Sequence, residues 1–239
     1  MSGLSPRPLR RVGHKGAHHI APGNTRASFD AALEAGVDMI EFDVLPERAP
    51  TRRLLIAHDY EDAESRSPMT LAEVLDYLAA ERFAEVELDV DLKLPGYEAA
   101  VLDALRATGL LERALISTQF AESLAALRSL EPRARLGWSV PKLRRDPFRS
   151  KALVLPAWTV LQAARAALPA RAATAIRARR CDALMAHWRL VTPRLVRSVQ
   201  AAGGELYVWT VDDAARIRAL EALGVSGVIT NDPRLFDAI

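Results

Sequence analysis

Along its 239 residues the chain alternates short runs rich in β-branched residues with longer Ala-, Leu- and Arg-rich runs, and this alternation constrains the fold more than any other feature. Strand-like and helix-like segments taking turns from end to end are the pattern of βα units on a parallel sheet. Eight strands are expected, at 11–14, 39–44, 86–92, 114–117, 135–140, 182–186, 206–211 and 227–230. Helices are expected between most of them. One spans 25–34, capped by Asn24 and stopped at Gly36; another, 70–80, opens on a Thr70-x-x-Glu73 capping box; a third, 214–223, ends at Gly224. Eight such units in a chain of this length match a (β/α)8 TIM barrel. An open doubly wound sheet would carry a glycine-rich phosphate turn after its first strand, and the sequence has no such motif. With no repeat, low-complexity tract or linker, one domain over 1–239 is expected.

Half of the residues are hydrophobic and 26% are charged, which excludes a disordered or fibrous chain. The net charge of +2 gives no argument for a nucleic-acid partner, and none is expected. The single cysteine, Cys181, excludes an intramolecular disulfide framework and a cysteine-built metal site. The first residues hold arginines and prolines but no apolar run, so a cytoplasmic location is the default expectation. The most apolar stretch, 152–170, is interrupted by Pro156, Gln162, Arg165 and Pro169, which a membrane-spanning helix would tolerate poorly. One local asymmetry stands out. Between Pro141 and Arg180 lie ten cations, Lys142, Arg144, Arg145, Arg149, Lys151, Arg165, Arg171, Arg177, Arg179 and Arg180, against Asp146 alone. A basic helical elaboration of the barrel is expected here. It reads either as a solvated helical face with arginine stems over apolar surface, or as an amphipathic arm near Trp158 that meets a polyanion or makes peripheral contact with an anionic membrane.

The chemistry-bearing residues follow the period of two. In Met39-Ile-Glu-Phe-Asp-Val44, Glu41 and Asp43 point to one side of a strand, with Ile40, Phe42 and Val44 on the other. Two carboxylates side by side inside a barrel repel and lose hydration unless a cation or basic partners compensate. The alternation recurs in Glu87-Leu-Asp-Val-Asp-Leu-Lys93, where Glu87, Asp89, Asp91 and Lys93 share a face. Because catalytic groups of barrels sit at C-terminal strand ends, Asp91 and Lys93 are better placed than Glu87 and Asp89, which read as deeper residues or internal ion pairs. Glu41, Asp43 and Asp91 together form an all-oxygen set that suits Mg2+ or Ca2+ better than zinc. His14 ends the first strand and His58 follows the second, so both can reach the same mouth, where imidazole can give or take a proton at neutral pH. An inward lysine also admits Schiff-base chemistry, with Lys93 as the candidate.

These residues fall in a recognisable order. His14-Lys-Gly16, Ala21-Pro-Gly-Asn-Thr25 with Ser28-Phe29, Gly36-Val-Asp-Met-Ile-Glu-Phe-Asp43, His58-Asp59, Tyr207-Val-Trp-Thr-Val211 and Gly224-Val-Ser-Gly-Val-Ile-Thr-Asn-Asp-Pro233 resemble the motifs of the glycerophosphodiester phosphodiesterase family. The resemblance implies a TIM barrel, a divalent cation, and hydrolysis of a glycerophosphodiester to an alcohol and glycerol 3-phosphate. It implies His14 and His58 as the acid–base pair, Glu41, Asp43 and Asp91 as metal ligands, Lys15 and Lys93 at the phosphate, and Trp209 at the mouth. Departures accompany it. Lys15 replaces an arginine and loses the bidentate fork for phosphate. Gly23 stands where the family has glutamate, and Asp91 is one methylene shorter than the usual ligand. Only about ten residues separate His58-Asp59 from Thr70, where these enzymes carry a longer lid, so a more open mouth is expected. Two alternatives stand beside this expectation: a phospholipase-D-like enzyme acting on lysophospholipids, and a non-catalytic barrel that binds polyanions or membranes. His18, His19 and His187 receive no role, although His187 ends an expected strand.

Overall fold

The computed structural model describes residues 8–48, 53–141 and 154–238, with side chains from Trp158 onward in the last stretch. Lys142, Arg144, Arg145, Arg149 and Lys151 of the basic run therefore lie outside the described residues. Eight parallel strands close into a barrel: β1 (Arg10–Gly13), β2 (Met39–Pro46), β4 (Glu87–Leu92), β5 (Ala114–Thr118), β6 (Arg135–Val140), β7 (Ala183–His187), β8 (Glu205–Trp209) and β9 (Gly227–Thr230). Around the ring the order is β1-β9-β8-β7-β6-β5-β4-β2, and β1 pairs with β2 to close it. All eight expected strands are present, displaced by at most two residues at their ends.

A ninth strand, β3 (Leu54–Ile56), was not expected. It runs antiparallel to the end of β2, pairing Val44 with Ile56 and Pro46 with Leu54. At three residues it is too short to show a period. It forms because β2 outruns its parallel partners and leaves a free edge for a returning segment. Its effect is to bring His58 back over the barrel mouth.

The helices α1 (Arg26–Glu34), α2 (Tyr60–Ser65), α3 (Leu71–Leu78), α4 (Glu98–Ala107), α5 (Ala121–Leu130), α6 (Val154–Arg177), α7 (Pro193–Ala201) and α8 (Ala214–Leu223) are distributed along the chain between strands. The α3 capping box is formed as expected, with Thr70 Oγ1 accepting from Glu73 N–H and Glu73 Oε2 accepting from Thr70 N–H. The α1 cap differs. Thr25, not Asn24, accepts from Ser28 N–H, because Asn24 adopts φ +60° and turns its amide into the barrel mouth. At the end of α8, Gly224 takes φ +84°, the left-handed stop the sequence anticipates.

Outward strand faces, such as Ile40, Phe42, Val44, Leu88, Val90 and Leu92, pack under the helices. The barrel interior is layered instead. Its lower layer holds Arg10, Glu87, Arg135 and Glu205; its middle is an apolar plug of Val12, Met39, Leu115, Ala183, Met185, Tyr207 and Ile229; its upper layer is the polar mouth. Glu87 is the internal ion pair anticipated from its depth, bound by Arg10 at 2.6 Å and Arg135 at 2.9 Å. No helix among the described residues is long and apolar enough to cross a membrane.

Candidate active site

Register builds the mouth. Parallel pairing sets Asp43 on β2 opposite Asp91 on β4, and Glu41 opposite Asp89, so carboxylates two residues apart on each strand point inward at adjacent levels. Ligand oxygens of Glu41, Asp43 and Asp91 lie within 4.8 Å of one another, with Glu41 and Asp43 buried and Asp91 at the lip. Crowding of this kind has an electrostatic signature. Burial and then the Asp43 charge push the Glu41 carboxyl well above the usual carboxylate range. Asp43 is held far below it, since Lys93 and Lys15 overcome the cost of burial. Asp89, one level down, is pushed up to about 7 by burial and by Asp91, and its Oδ1 has no hydrogen-bond partner. Three clustered carboxylates, two of them buried, fit a hard divalent cation by both charge and donor chemistry.

Two lysines answer part of that charge. Lys93 Nζ ion-pairs with Asp43 Oδ1 and Asp91 Oδ2, and despite burial these carboxylates hold it firmly protonated. Lys15 Nζ stands 3.5 Å from Asp43 Oδ2. Lys15 reaches the site through a strained turn after β1: its φ is +52°, its N–H donates to Glu41 Oε2 at 2.7 Å, and the Gly16 N–H donates to Glu41 O at 3.1 Å. A Cβ on Gly16 would meet Ser28 O at 2.5 Å, so the turn needs glycine. Gly23 has a similar reason. A side chain there would collide with His18 Nδ1 and Lys15 Cβ at 2.7 and 2.9 Å, so the space of the missing glutamate is taken by this chain's own His18 and Lys15.

The two histidines occupy different environments. His14 lies above β1 with Nε2 3.8 Å from Glu41 Oε2 and Nδ1 2.6 Å from Asn231 Oδ1. Asn231 in turn donates from Nδ2 to Asp212 Oδ2 at 2.7 Å, and its backbone N–H donates to Asp212 Oδ1 at 2.8 Å. Because the amide NH2 is committed to Asp212, the Asn231 oxygen faces His14 and accepts from it. That assigns the proton to Nδ1 and leaves the Nε2 lone pair toward the site. Burial and the neighbouring Lys15 lower the His14 pKa to about 4, so the ring is neutral at pH 7. His58 is half exposed at the rim. Its Nδ1 donates to Asp59 Oδ2 at 3.0 Å, and its backbone N–H is held by Asp62 Oδ2 at 3.0 Å.

His14, Lys15, Glu41, Asp43, Asp91 and Lys93 thus converge, with His58 above them. Trp209 stands apart: strand order puts β8 across the barrel from β4. Its indole N–H donates to Met185 O at 2.9 Å and its ring meets His187 edge-on at 5.2 Å. His187, without a role in the sequence, forms this far wall of the mouth with Trp209. Three further residues escape sequence reasoning. Asn24 clamps Asp43, donating to Oδ2 at 2.9 Å and accepting the Asp43 N–H at 3.2 Å. Asn231 and Asp212 fix His14. Their only sequence signal is position, Asn24 and Asn231 within recognisable motifs and Asp212 three residues beyond Trp209.

Comparison with known proteins bears on this geometry. The model of the glycerophosphoryl diester phosphodiesterase family matches residues 14–46 and 51–235. A glycerophosphodiester phosphodiesterase of Caldanaerobacter subterraneus subsp. tengcongensis is 25% identical, with 93% of each chain covered. Among solved structures, one from Silicibacter pomeroyi superposes with a TM-score of 0.76 at 20% identity, covering 98% of this chain and 95% of that one. An Oleispira antarctica phosphodiesterase, solved in complex with the product sn-glycerol-3-phosphate, superposes with a TM-score of 0.66 at 19% identity, covering 96% of each. At these identities the superpositions establish a shared barrel fold.

Proposed function

The chain belongs to the glycerophosphoryl diester phosphodiesterase family, whose members are phosphoric diester hydrolases, and from that premise we propose that it hydrolyses glycerophosphodiesters to an alcohol and glycerol 3-phosphate in a divalent-cation-dependent reaction. One observation carries the reading: the carboxylates of Glu41, Asp43 and Asp91 meet within 4.8 Å of one another directly beneath His14.

A bound Mg2+ or Ca2+ held by Glu41, Asp43 and Asp91 would supply Lewis-acid neutralisation of phosphate oxygens. The chain's own groups do the rest. Lys93 at the floor and Lys15 at the side put two ammonium groups where phosphate charge gathers, as point charges without the directional fork of arginine. His14 has a vacant Nε2 lone pair, fixed by the Asn231–Asp212 relay, and accepts the proton of the attacking water. His58, as the imidazolium with its Nδ1–H held by Asp59 and its ring open to solvent, gives the Nε2 proton to the leaving alkoxide as the P–O bond breaks. Trp209 and His187 face the departing alcohol from the opposite wall.

A second reading is favoured by the mouth itself. Its cover between β3 and α3 is the six-residue helix α2, leaving room for a lysophospholipid cleaved in the phospholipase D manner. One assay separates the two. Glycerophosphodiesters and lysophospholipids with matched headgroups are incubated with EDTA, Mg2+ or Ca2+, and products are identified. Turnover of the water-soluble diester that EDTA abolishes and a cation restores supports the proposal; preference for the lysophospholipid transfers it to the second reading. Inactivity toward every diester with every cation overturns both. His14→Ala and His58→Ala are each expected to lower turnover by about 10²- to 10⁴-fold at unchanged melting temperature.

A further inference from the structure

We propose that the outer face formed by α6 and α7 is a docking surface for an anionic phospholipid bilayer. The inference stands on the charge and apolar exposure of that face, independently of the diester cleaved in the mouth. Between 154 and 204 the chain has eight arginines and one acid, Asp182, which Arg128 already holds at 2.6 Å. In a chain of net charge +2 this is a strongly basic stretch. Arg177 of α6 and Arg194 and Arg197 of α7 line one recess between the two helices together with Ser198, and among the described residues none of the three guanidinium groups has a hydrogen-bond or ion-pair partner. Three like charges around one recess without a counter-charge repel one another, and phosphate groups are the ligands that match guanidinium geometry. On the other flank of α6, Arg171, Arg179 and Arg180 edge a second, larger recess floored by alanines and Trp138.

Exposed apolar residues near the start of α6 add to the charge. Leu161, Leu168, Ala172 and Ile176 form the stripe that packs on the barrel, in a helix of 24 residues against nine in α7. Near its start Trp158 is 53% and Val160 69% exposed. A tryptophan and an aliphatic residue exposed at one end of a basic helix match the headgroup–acyl boundary of a bilayer. The stretch 154–204 contains no lysine, asparagine or tyrosine, side chains on which nucleic-acid surfaces draw for phosphate contact, base reading and stacking. Between the guanidinium groups the exposed positions are small, Ala163, Ala166, Ala167, Ala170 and Thr174, so no large side chain stands between the arginines and approaching lipid headgroups.

Co-sedimentation of the full chain with vesicles tests this. The protein is expected to pellet with phosphatidylcholine vesicles containing about 30% phosphatidylglycerol, not with phosphatidylcholine alone, and to be released between about 0.1 and 0.5 M salt. Replacing Arg177, Arg194 and Arg197 together by Glu should weaken binding by about 100-fold, and Trp158→Ser by a few-fold, with circular dichroism and melting temperature retained. Absence of vesicle binding by the wild-type chain, undiminished binding by the triple variant, or tighter binding to an RNA oligomer than to the anionic vesicles would each overturn the proposal. None of these outcomes depends on whether a diester is cleaved.

Discussion

The two ends of the barrel interior hold similar residues in opposite arrangements. At the lower end Arg10 and Arg135 face Glu87 and Glu205, with the Tyr207 hydroxyl between them, two cations against two anions. At the mouth Glu41, Asp43, Asp89 and Asp91 crowd around Lys15 and Lys93, and one carboxyl is driven up to about 7 while another is driven far down. An apolar plug separates the two. The lower layer is close to a minimum of its own electrostatics. The upper layer is left unresolved by the protein, and acquires its balance from what enters it: a cation, a phosphate and a travelling proton. Strand geometry is the same at both ends, so the difference lies in which residue types occupy equivalent inward positions.

The sharpest way to break this comparison is Asp43→Asn. It keeps the shape of the side chain and its Asn24 contact in part, yet removes the most strongly ionised carboxylate of the mouth. Turnover is expected to fall by at least about 10³-fold, the scale of a lost charge-stabilising group, while the melting temperature stays within a few degrees. Steady-state kinetics and a thermal melt on the same preparation check it. A variant that loses stability but keeps its rate would make the mouth a structural ion-pair layer like the lower one.

Next comes the relay behind His14. Asn231→Leu removes the acceptor at Nδ1 and frees the ring to take the wrong tautomer. The expected loss is about 10²-fold in kcat with KM within a few-fold, since the substrate does not touch Asn231. Asp212→Ala should follow with a smaller loss, because Asn231 then holds the right position only part of the time. An unchanged kcat in Asn231→Leu would remove the relay from the mechanism.

A smaller effect concerns stability and pH. In EDTA, the wild-type Asp89 carboxyl stays protonated in the folded protein up to about pH 7 but ionises near its ordinary value when unfolded. Its folded pKa is raised, so the unfolded state binds fewer protons across that window, and stability falls as pH rises from about 4 to 7. Asp89→Asn lacks this penalty. Relative to wild type it should gain about 2 kcal/mol between pH 5 and pH 8, read from denaturant unfolding at both values. A constant difference at the two pH values would show that Asp89 is ionised in both.

How much of this was legible beforehand depends on the range of the interactions. The eight barrel strands and the shared face of Glu41 and Asp43 follow from a period of two, a local property, and Thr70–Glu73 capping spans three residues. What was missed depends on closure. His14 and Asn231 are 217 residues apart and meet only because β1 and β9 are neighbours in the ring. Asn24 looked like a helix cap because Asn caps helices well; the mouth took it instead, since Asp43 offers a buried carboxylate and a backbone N–H to one amide, and Thr25 was available to cap. Strand β3 exists only because β2 outlasts its parallel neighbours. Lys93 is expected to face phosphate; its ion pair with Asp91 lies within the alternation of one strand, but its pair with Asp43 reflects a strand register that no local pattern reveals.

The mildest perturbation tests the lower layer. Glu87→Gln keeps volume and one acceptor oxygen but leaves Arg10 and Arg135 facing Glu205 alone. The four side chains are 25–31% exposed, so water screens part of the imbalance, and the expected cost is about 1 kcal/mol, or 2–4 °C in melting temperature for a domain of this size. Turnover should be unchanged, because the apolar plug and a full layer of strand separate Glu87 from the mouth. Glu205→Gln should cost a similar amount. The double variant should cost more than the sum, since the second substitution removes the last anion facing two guanidinium groups. A drop in turnover without a drop in stability would mean that the two ends communicate through the plug, and the division between a balanced floor and an unresolved mouth would then fail.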